Sequence, residues 1–429
     1  MSDYLTTQII TYMGNKRKLL SKIEEIIVSL EKENGRKLTM GDGFSGSGVV
    51  SRLFKGHASK LYSNDIADYS ETLNKAFLSN VSEEDLKKIG KYVNTANKHA
   101  DNLTEKYAQP FVSGNWAPRN NVIDENDRVY FTEENGKRID VLRNYIDTIP
   151  AKYRPFLLAS LLVECSIHNN TNGQFSAFYK NGNLGQYGGK NGVDIKRITQ
   201  PIALKVPVYN NQPVDVHISK MDTNEWVKKN PELDLVYYDP PYNKHPYSIF
   251  YFLLNVINNW QTEEEIPDTY RGQPLNWDRS KYNSSVHAEK ALHELIENTR
   301  AKYILLSYNS GGIIPLSALD KLLQTFGKVE KIPVEHKTYN KLKGISEYKR
   351  TTEKSPIKEY FWLLRKKEWK EWIVWLHSNL HNIFVRFKIS SFYTNHLKTT
   401  CAFIIYHKCP RFSKQKTRKS SLFMSNILP

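Results

Sequence analysis

The chain has 429 residues, 40% of them hydrophobic, and a formal net charge of +16, so it can bury a core spread over one large domain or two, and its excess of Lys and Arg points to an anionic partner, nucleic acid before others. Three cysteines (Cys165, Cys401 and Cys409) with no C-x-x-C pair exclude a disulfide framework and a zinc ribbon, and no metal site is expected. No apolar run reaches the roughly 18 residues of a membrane helix and the N-terminus lacks a signal-peptide pattern, which predicts a reduced, cytoplasmic chain with no membrane partner.

In chain order, "KRKLLSKIEEIIVSLEKEN" sets Leu19, Ile23, Ile26, Ile27 and Leu30 at helical spacing, the pattern of an amphipathic helix packed on a sheet. "MGDGFSGSGVVSRLFKG" reads as a glycine turn entering a helix, and "KLYSND" as the strand after it. Strand, turn, helix and strand in that order predict a parallel α/β sheet. Between 81 and 205 the texture changes. Residues 82–105 are polar and helical, "GNWAPRNNVIDENDRVYF" is loop-like, and "KYRPFLLASLLVEC" is a buried helix. "HNNTNGQFSAFYKNGNLGQYGGKNG" is dense in Gly and Asn and reads as turns. Strands return at "VDVHISKMD", "LDLVYYDPPY", "AKYILLSYNS" and "EYFWLLRK", with the helix "HAEKALHELIENTRAK" between two of them. The expected organisation is a split domain, 1–80 and 206–366, interrupted by an insertion at 81–205 and followed by a basic extension at 367–429. From 371 onward that extension carries nine Lys/Arg against one acid, Glu371, and no chemistry is assigned to it.

The run "LDLVYYDPPYNKHPYSIFYF" holds the most specific chemistry. Asp239 follows a strand, and open parallel sheets bind ligands at the carboxyl ends of their strands. Pro240 cannot donate a ladder hydrogen bond, so pairing stops there, and Pro240 and Pro241 fix the φ angles of the loop. The loop therefore presents the Asp239 carboxylate, the Pro240 carbonyl and the Tyr242 ring with little freedom. An exocyclic amine on a planar base suits that set: its two N–H bonds meet two acceptors and its ring stacks on Tyr242. Positive charge developing on the nitrogen is then stabilised by fixed acceptors. "DGFSGSGVV" adds a glycine turn that lets a cofactor approach the backbone. It lacks the Gly-Lys-Ser/Thr ending of a phosphate loop and the full G-x-G-x-x-G pattern. "YSND" puts Asp65 after a second strand, where a carboxylate can accept ribose hydroxyls.

Together these motifs, in this order over about residues 8–366, resemble the S-adenosylmethionine-dependent DNA adenine-N6 methyltransferases of restriction-modification systems. The resemblance implies a Rossmann-like class I methyltransferase sheet with an inserted target-recognition domain. "YMGNKRKLL" resembles the N-terminal cofactor segment, in which Tyr12, Gly14, Asn15 and Lys16 would hold the methionine end. "DGFSGSG" resembles the main cofactor loop, with Asp42, Phe44, Ser45, Gly46 and Gly48. Asp65 resembles the ribose-binding acid, and "SKMD" resembles the segment beside the cofactor adenine, with Met221 and Asp222. "DPPY", Asp239 to Tyr242, is the family's catalytic tetrapeptide with the leading acid of the adenine type. The implied partners are double-stranded DNA and a cognate restriction endonuclease acting on the same site. The tail beyond about 367 has no counterpart in the resemblance.

Target reading is expected in the insertion, where Arg119, Asn170, Asn172, Gln174 and Lys180 are the candidates, since Asn and Gln can read adenine and Arg guanine. The loop "YRGQPLNWDRSKYNSS" adds Arg271, Arg279 and Lys281 as candidate phosphate contacts, which position without specifying. His245 is more simply structural, and "YSIFYFLLNVI" is read as a buried helix or a wall of the target pocket. The same motifs also admit methylation of cytosine N4 in DNA, of an exocyclic amine in RNA, or an inactive nucleic-acid binder with the same fold.

Overall fold

Strands buried on both faces carry continuous apolar runs instead of alternating ones, and "LDLVYY" is such a run. In the computed structural model, which describes residues 2–120, 122–210, 212–275, 279–334 and 358–367, it forms β6 (Leu233–Tyr238) at the centre of a seven-stranded sheet. The other strands are β1 (Thr39–Asp42), β2 (Lys60–Asp65), β5 (Asp215–Lys220), β7 (Ala301–Asn309), β8 (Gly327–Val334) and β9 (Glu359–Lys366). A separate two-residue hairpin, β3 (Lys180–Asn181) and β4 (Leu184–Gly185), lies in the insertion. Across the sheet the order is β5-β2-β1-β6-β7-β9-β8. The first five strands are parallel, and β9 runs antiparallel between β7 and β8. This is the Rossmann-like α/β sheet that the sequence predicts.

Alternate residues of β6 serve two cores. Leu235 and Tyr237 pack with helices 20–34 and 49–57 on one face. Val236 and Tyr238 pack with helices 223–229, 288–298 and 316–326 on the other. Helix 20–34 buries Ile23, Ile26, Ile27 and Leu30 as its spacing predicts, and Gly35 closes it with φ 65°.

Helices 83–101, 133–148 and 154–167, in the expected insertion, share one core with helices 68–77 and 252–259, and the described residues up to Lys366 form one compact unit. Helix 154–167 buries every residue from Phe156 to Ser166, as a helix apolar all round must. The irregular return segment from 198 to 214 is tied down by side-chain amides. Asn135 donates to the Ile198 and Gln200 carbonyls and accepts from Ile202, Asn97 brackets Leu204, Gln8 bridges Val206 and Val208, and Asn80 brackets Val214. These amides replace the ladder partners that a backbone without regular structure would otherwise lack. Among the described residues no helix is long and apolar enough to cross a membrane. The basic extension beyond Lys367, and residues 276–278 of the second polar loop, lie outside the described residues.

Candidate active site

The carboxyl ends of β1, β2 and β6 deliver Asp42, Asp65 and Asp239 to one cleft, about 1200 Å³ counted out to its open mouth. The glycine turn after β1 forms one wall. Gly46 has φ 50°, and a Cβ there would sit 2.9 Å from the Tyr12 ring, so this turn needs glycine both for its backbone and for its close packing. The Gly46 amide donates to Asp65 Oδ2 at 2.7 Å and the Ala67 amide donates to Oδ1 at 2.9 Å. Asp65 thus braces the turn and lines the cleft. Burial raises its pKa, and the amides facing it lower it in part.

Asp42 is fully buried. Ser51 donates to its Oδ2 at 2.7 Å, while Oδ1 has no hydrogen bond of its own. Burial pushes this carboxyl from 3.8 up to about 7, with the Ser51 hydroxyl and the Phe44 amide pulling the other way. The folded chain therefore holds a proton that the unfolded chain releases in that range. Stability from Asp42 is present below its unfolded value of 3.8 and is lost as the pH rises toward about 7. Asp42→Asn is expected to lose less stability than the native chain between those two pH values in urea melts of the ligand-free protein. Equal slopes would contradict the raised carboxyl.

Asn15 presents a second orphaned group: its Oδ1 accepts from Arg17 N, but its buried Nδ2 has no partner. An unpaired carboxylate oxygen and an unpaired amide N–H in one cleft fit the ammonium and carboxylate ends of an amino acid, as the methionine part of the expected cofactor requires. Phe44 stands edge-on to Tyr282 at 5.3 Å. Asp222 caps helix 223–229 through the Asn224 and Glu225 amides and also faces the cleft. Of the cofactor candidates, Gly48 and Met221 do not line the cleft. Gly48 enters helix 49–57 at φ 76°, with Asn74 Oδ1 2.7 Å from where its Cβ would be. Met221 is half-buried behind the wall, its amide donating to the Asp65 carbonyl. Ser45 reaches the cleft, but its hydroxyl accepts from Asn74.

Asp239 lies one residue past the last β6–β7 pair, where proline ends the ladder. Tyr242 is fixed from two sides: its carbonyl accepts from the Ile313 amide, and its ring stands edge-on to Tyr308 at 5.9 Å. Gly14, at φ 73°, presses on the Tyr242 hydroxyl, which lies 2.8 Å from where a Cβ would project. The N-terminal segment and the tetrapeptide are therefore in contact.

Lys16 departs from the expectation. Its Nζ is buried and turned to the tetrapeptide, 3.3 Å from Asp239 Oδ1 and 3.3 Å from Glu359 Oε2. The contact to Glu359 is a hydrogen bond; that to Asp239 is within ion-pair range but off the hydrogen-bond direction. Burial disfavours the ammonium, and the two carboxylates outweigh it, so the Lys16 pKa rises above the usual lysine value. Asp239 keeps 18% of its side chain open to the cleft. Burial pushes it up to about 6, against the pull of Lys16 and with a further push from Glu359. Burial likewise carries Tyr242 up to about 12.

Sequence reasoning missed Glu359. Because β9 runs antiparallel, its first residue pairs with Asn309, the last of β7, and so stands at the same edge as Asp239. It also missed the tyrosine stack. Tyr12 stacks on Tyr247 at 5.3 Å and on Tyr251 at 4.8 Å, and both hydroxyls bond the Met13 backbone. The stripe after the tetrapeptide is two short helical pieces, 247–250 and 252–259, that clamp the N-terminal segment.

The polar candidates for DNA separate on burial. Asn170 is fully buried, its amide spent on the Val129 and Gln186 carbonyls and the Gly188 amide, so it shapes its loop and has no edge left for a base. Asn172 and Gln174 are half-buried, and Gln174 Nε2 points at Met13 Sδ, 3.3 Å away. Lys180 is exposed on the β3–β4 hairpin, 3.8 Å from the Tyr270 ring centroid. Arg119, Arg279 and Lys281 are exposed. Arg271 is half-buried with an enclosed, unpaired Nε. The loop after the tetrapeptide is bound to the insertion: Trp116 donates to the Arg271 carbonyl, and Arg128 to those of Thr269 and Pro267.

Comparison with known proteins agrees with this geometry. The chain is 27% identical over 368 residues to the type II methyltransferase M.NlaIII of Neisseria lactamica, covering 83% of this chain and 99% of that protein. It is 27% identical over 335 residues to the type II methyltransferase M.CviAII of Paramecium bursaria Chlorella virus 1, covering 77% and 92%. It is 29% identical over 341 residues to the modification methylase LlaI of Lactococcus lactis subsp. lactis, covering 76% of this chain and half of that protein. No solved structure matches. A family model matches residues 12–319, from the tyrosine that packs on the glycine turn to the helix after β7, and by that match the chain belongs to the D12 class N6 adenine-specific DNA methyltransferases.

Proposed function

We propose that this enzyme methylates the N6 amine of adenine within one specific duplex sequence, after the base has been rotated out of the helix, and that it is the modification component of a restriction-modification system. The observation that carries the reading is the rigid Asp239–Tyr242 loop at the carboxyl end of β6, with the buried Lys16 ammonium beside its carboxylate. S-adenosylmethionine, bound along Asn15, Asp42 and Asp65, would supply a methyl group already activated by its sulfonium. The chain's own residues then have two tasks. The Asp239 carboxylate and Pro240 carbonyl hold the two amine hydrogens, which aims the nitrogen lone pair at the methyl carbon. Tyr242 stacks the flipped base and so repays part of the few kcal/mol that flipping costs. After transfer, Asp239 takes the proton that leaves the nitrogen.

The relatives' names, as modification methylases and type II methyltransferases, support the restriction partner. The test is to treat unmethylated genomic DNA with the enzyme, sequence for modified adenines, and challenge the product with endonucleases. One fully modified motif and protection against one endonuclease are expected; scattered modification with no motif would contradict site specificity.

Arg119, Asn172, Gln174 and Lys180 are proposed to face the DNA from the insertion, and Arg271, Arg279 and Lys281 from the loop after the tetrapeptide. Arg279→Ala is expected to weaken binding uniformly across sequences and to reduce the slope of log K against log salt by about 0.9, one phosphate contact. A changed sequence preference with an unchanged slope would mean that Arg279 reads a base.

A further inference from the structure

Lys16 could satisfy Asp239 directly, yet the hydrogen bond it makes goes to Glu359, from a strand 343 residues away in sequence. We infer that Glu359 is a positioning residue for methyl transfer: by taking the hydrogen bond of the Lys16 ammonium it holds that charge 3.3 Å from the enclosed Asp239 Oδ1 without a hydrogen bond to it, so that the carboxylate keeps the basicity needed to accept the N–H of the target base. The inference rests on the reading of Asp239 as the acceptor of the amine proton.

The charges support it. Lys16 and Glu359 are almost wholly buried, with side chains 4% and 9% exposed. The groups electrostatically coupled to Asp239 are Lys16 from the N-terminal segment, Glu359 from β9, Asp42 from β1, and Tyr237, Tyr242 and Tyr247 from β6 and the loop beyond it. Lys16 is the only cation in that set. In the reaction the nitrogen–carbon bond forms as the methyl–sulfur bond breaks, the cofactor leaves as its neutral thioether, and one proton on the nitrogen passes to Asp239. Once Asp239 is neutral, Lys16 would be a buried ammonium without a counter-charge were Glu359 not beside it. With Glu359 present, the three groups go from a net charge of −1 to zero, and the ammonium is paired throughout. Without it, Lys16 closes on Asp239 Oδ1 as its sole counter-charge in this set and makes the carboxylate a weaker base.

The test compares Glu359→Gln and Glu359→Asp with the native enzyme on duplex DNA. Two quantities are read: the single-turnover rate against pH, and the ionisation of Asp239 by isotope-edited infrared titration of ligand-free protein, assigned with Asp239→Asn. Glu359→Gln is expected to lower the single-turnover rate about tenfold or more, with cofactor and DNA binding retained. The acid limb of its pH profile and the Asp239 titration should both move to lower pH, and Glu359→Asp should restore most of the rate and both midpoints. A native rate and an unmoved titration in Glu359→Gln would overturn the inference. So would equal losses in both variants accompanied by loss of cofactor binding, the mark of a merely structural residue. If Glu359→Gln does not fold, the double variant Lys16→Met/Glu359→Leu, which removes both charges, carries the test. It should fold, bind cofactor, titrate Asp239 at higher pH than the native chain and transfer methyl slowly; native activity in it would overturn the inference. Asp239→Asn separately tests the underlying reading, since activity in that variant removes Asp239 as acceptor whatever Glu359 does.

Discussion

Asp239→Ala is expected to cut methyl transfer by about a thousandfold or more, while cofactor affinity changes by no more than a factor of about three. The asymmetry follows from where the carboxylate sits. It stands past the end of β6, while the groups suited to the cofactor, Asn15, Asp42 and Asp65, come to the same cleft from the N-terminal segment and the ends of β1 and β2. The substitution leaves Lys16 paired with Glu359, so no buried ammonium is orphaned and the fold should survive. Equilibrium binding of the cofactor and a single-turnover assay separate the two effects. A fall in cofactor affinity that accounts for the whole loss of rate would move Asp239 from chemistry to binding.

Lys16→Met is expected to be as damaging by a different route. It leaves Asp239 and Glu359 as buried carboxylates with the ammonium between them gone. Two such groups cannot both stay ionised, so one retains a proton and Asp239 titrates above its native value of about 6. The sign is then fixed. The active form needs ionised Asp239, so at neutral pH the variant should lose about a hundredfold in rate and recover roughly tenfold per pH unit as the pH rises. Stability should fall by about 3–5 kcal/mol, the usual cost of removing one partner from a buried ion pair. Urea melts and a pH–rate profile check both; a loss of rate independent of pH would mean that Lys16 acts on the cofactor, as its place in "YMGNKRKLL" first suggests.

What the sequence could show was what is local. Asp42, the glycine turn and Asp65 were legible because strand, turn and helix follow one another within about twenty-five residues. Asp239 was legible because an apolar run, an acid and two prolines leave few alternatives for the backbone. Glu359 was not, because nothing in "EYFWLLRK" says that the strand is reversed, and only reversal brings its first residue to the carboxyl edge. The contacts of Lys16 with Asp239 and Glu359 were not legible, since its partners are fixed by tertiary packing. Asn170 was misjudged for a related reason: a polar residue in a turn-rich stretch can be spent inside the loop it shapes. Helix 133–148 was hidden because the face it buries carries Asn135, Arg138, Asp140 and Arg143, whose polar atoms bond or pair on folding, which blurs the apolar period. The return segment at 198–214 shows the same logic, with its backbone satisfied by distant side chains that no local pattern announces.

The most direct test of the account is to supply the purified chain and its Asp239→Ala variant with labelled S-adenosylmethionine and unmethylated duplex DNA, then digest the DNA and identify the labelled nucleoside. N6-methyladenine from the native chain and none from the variant is the predicted result. Label on cytosine, or equal label from both proteins, would contradict it.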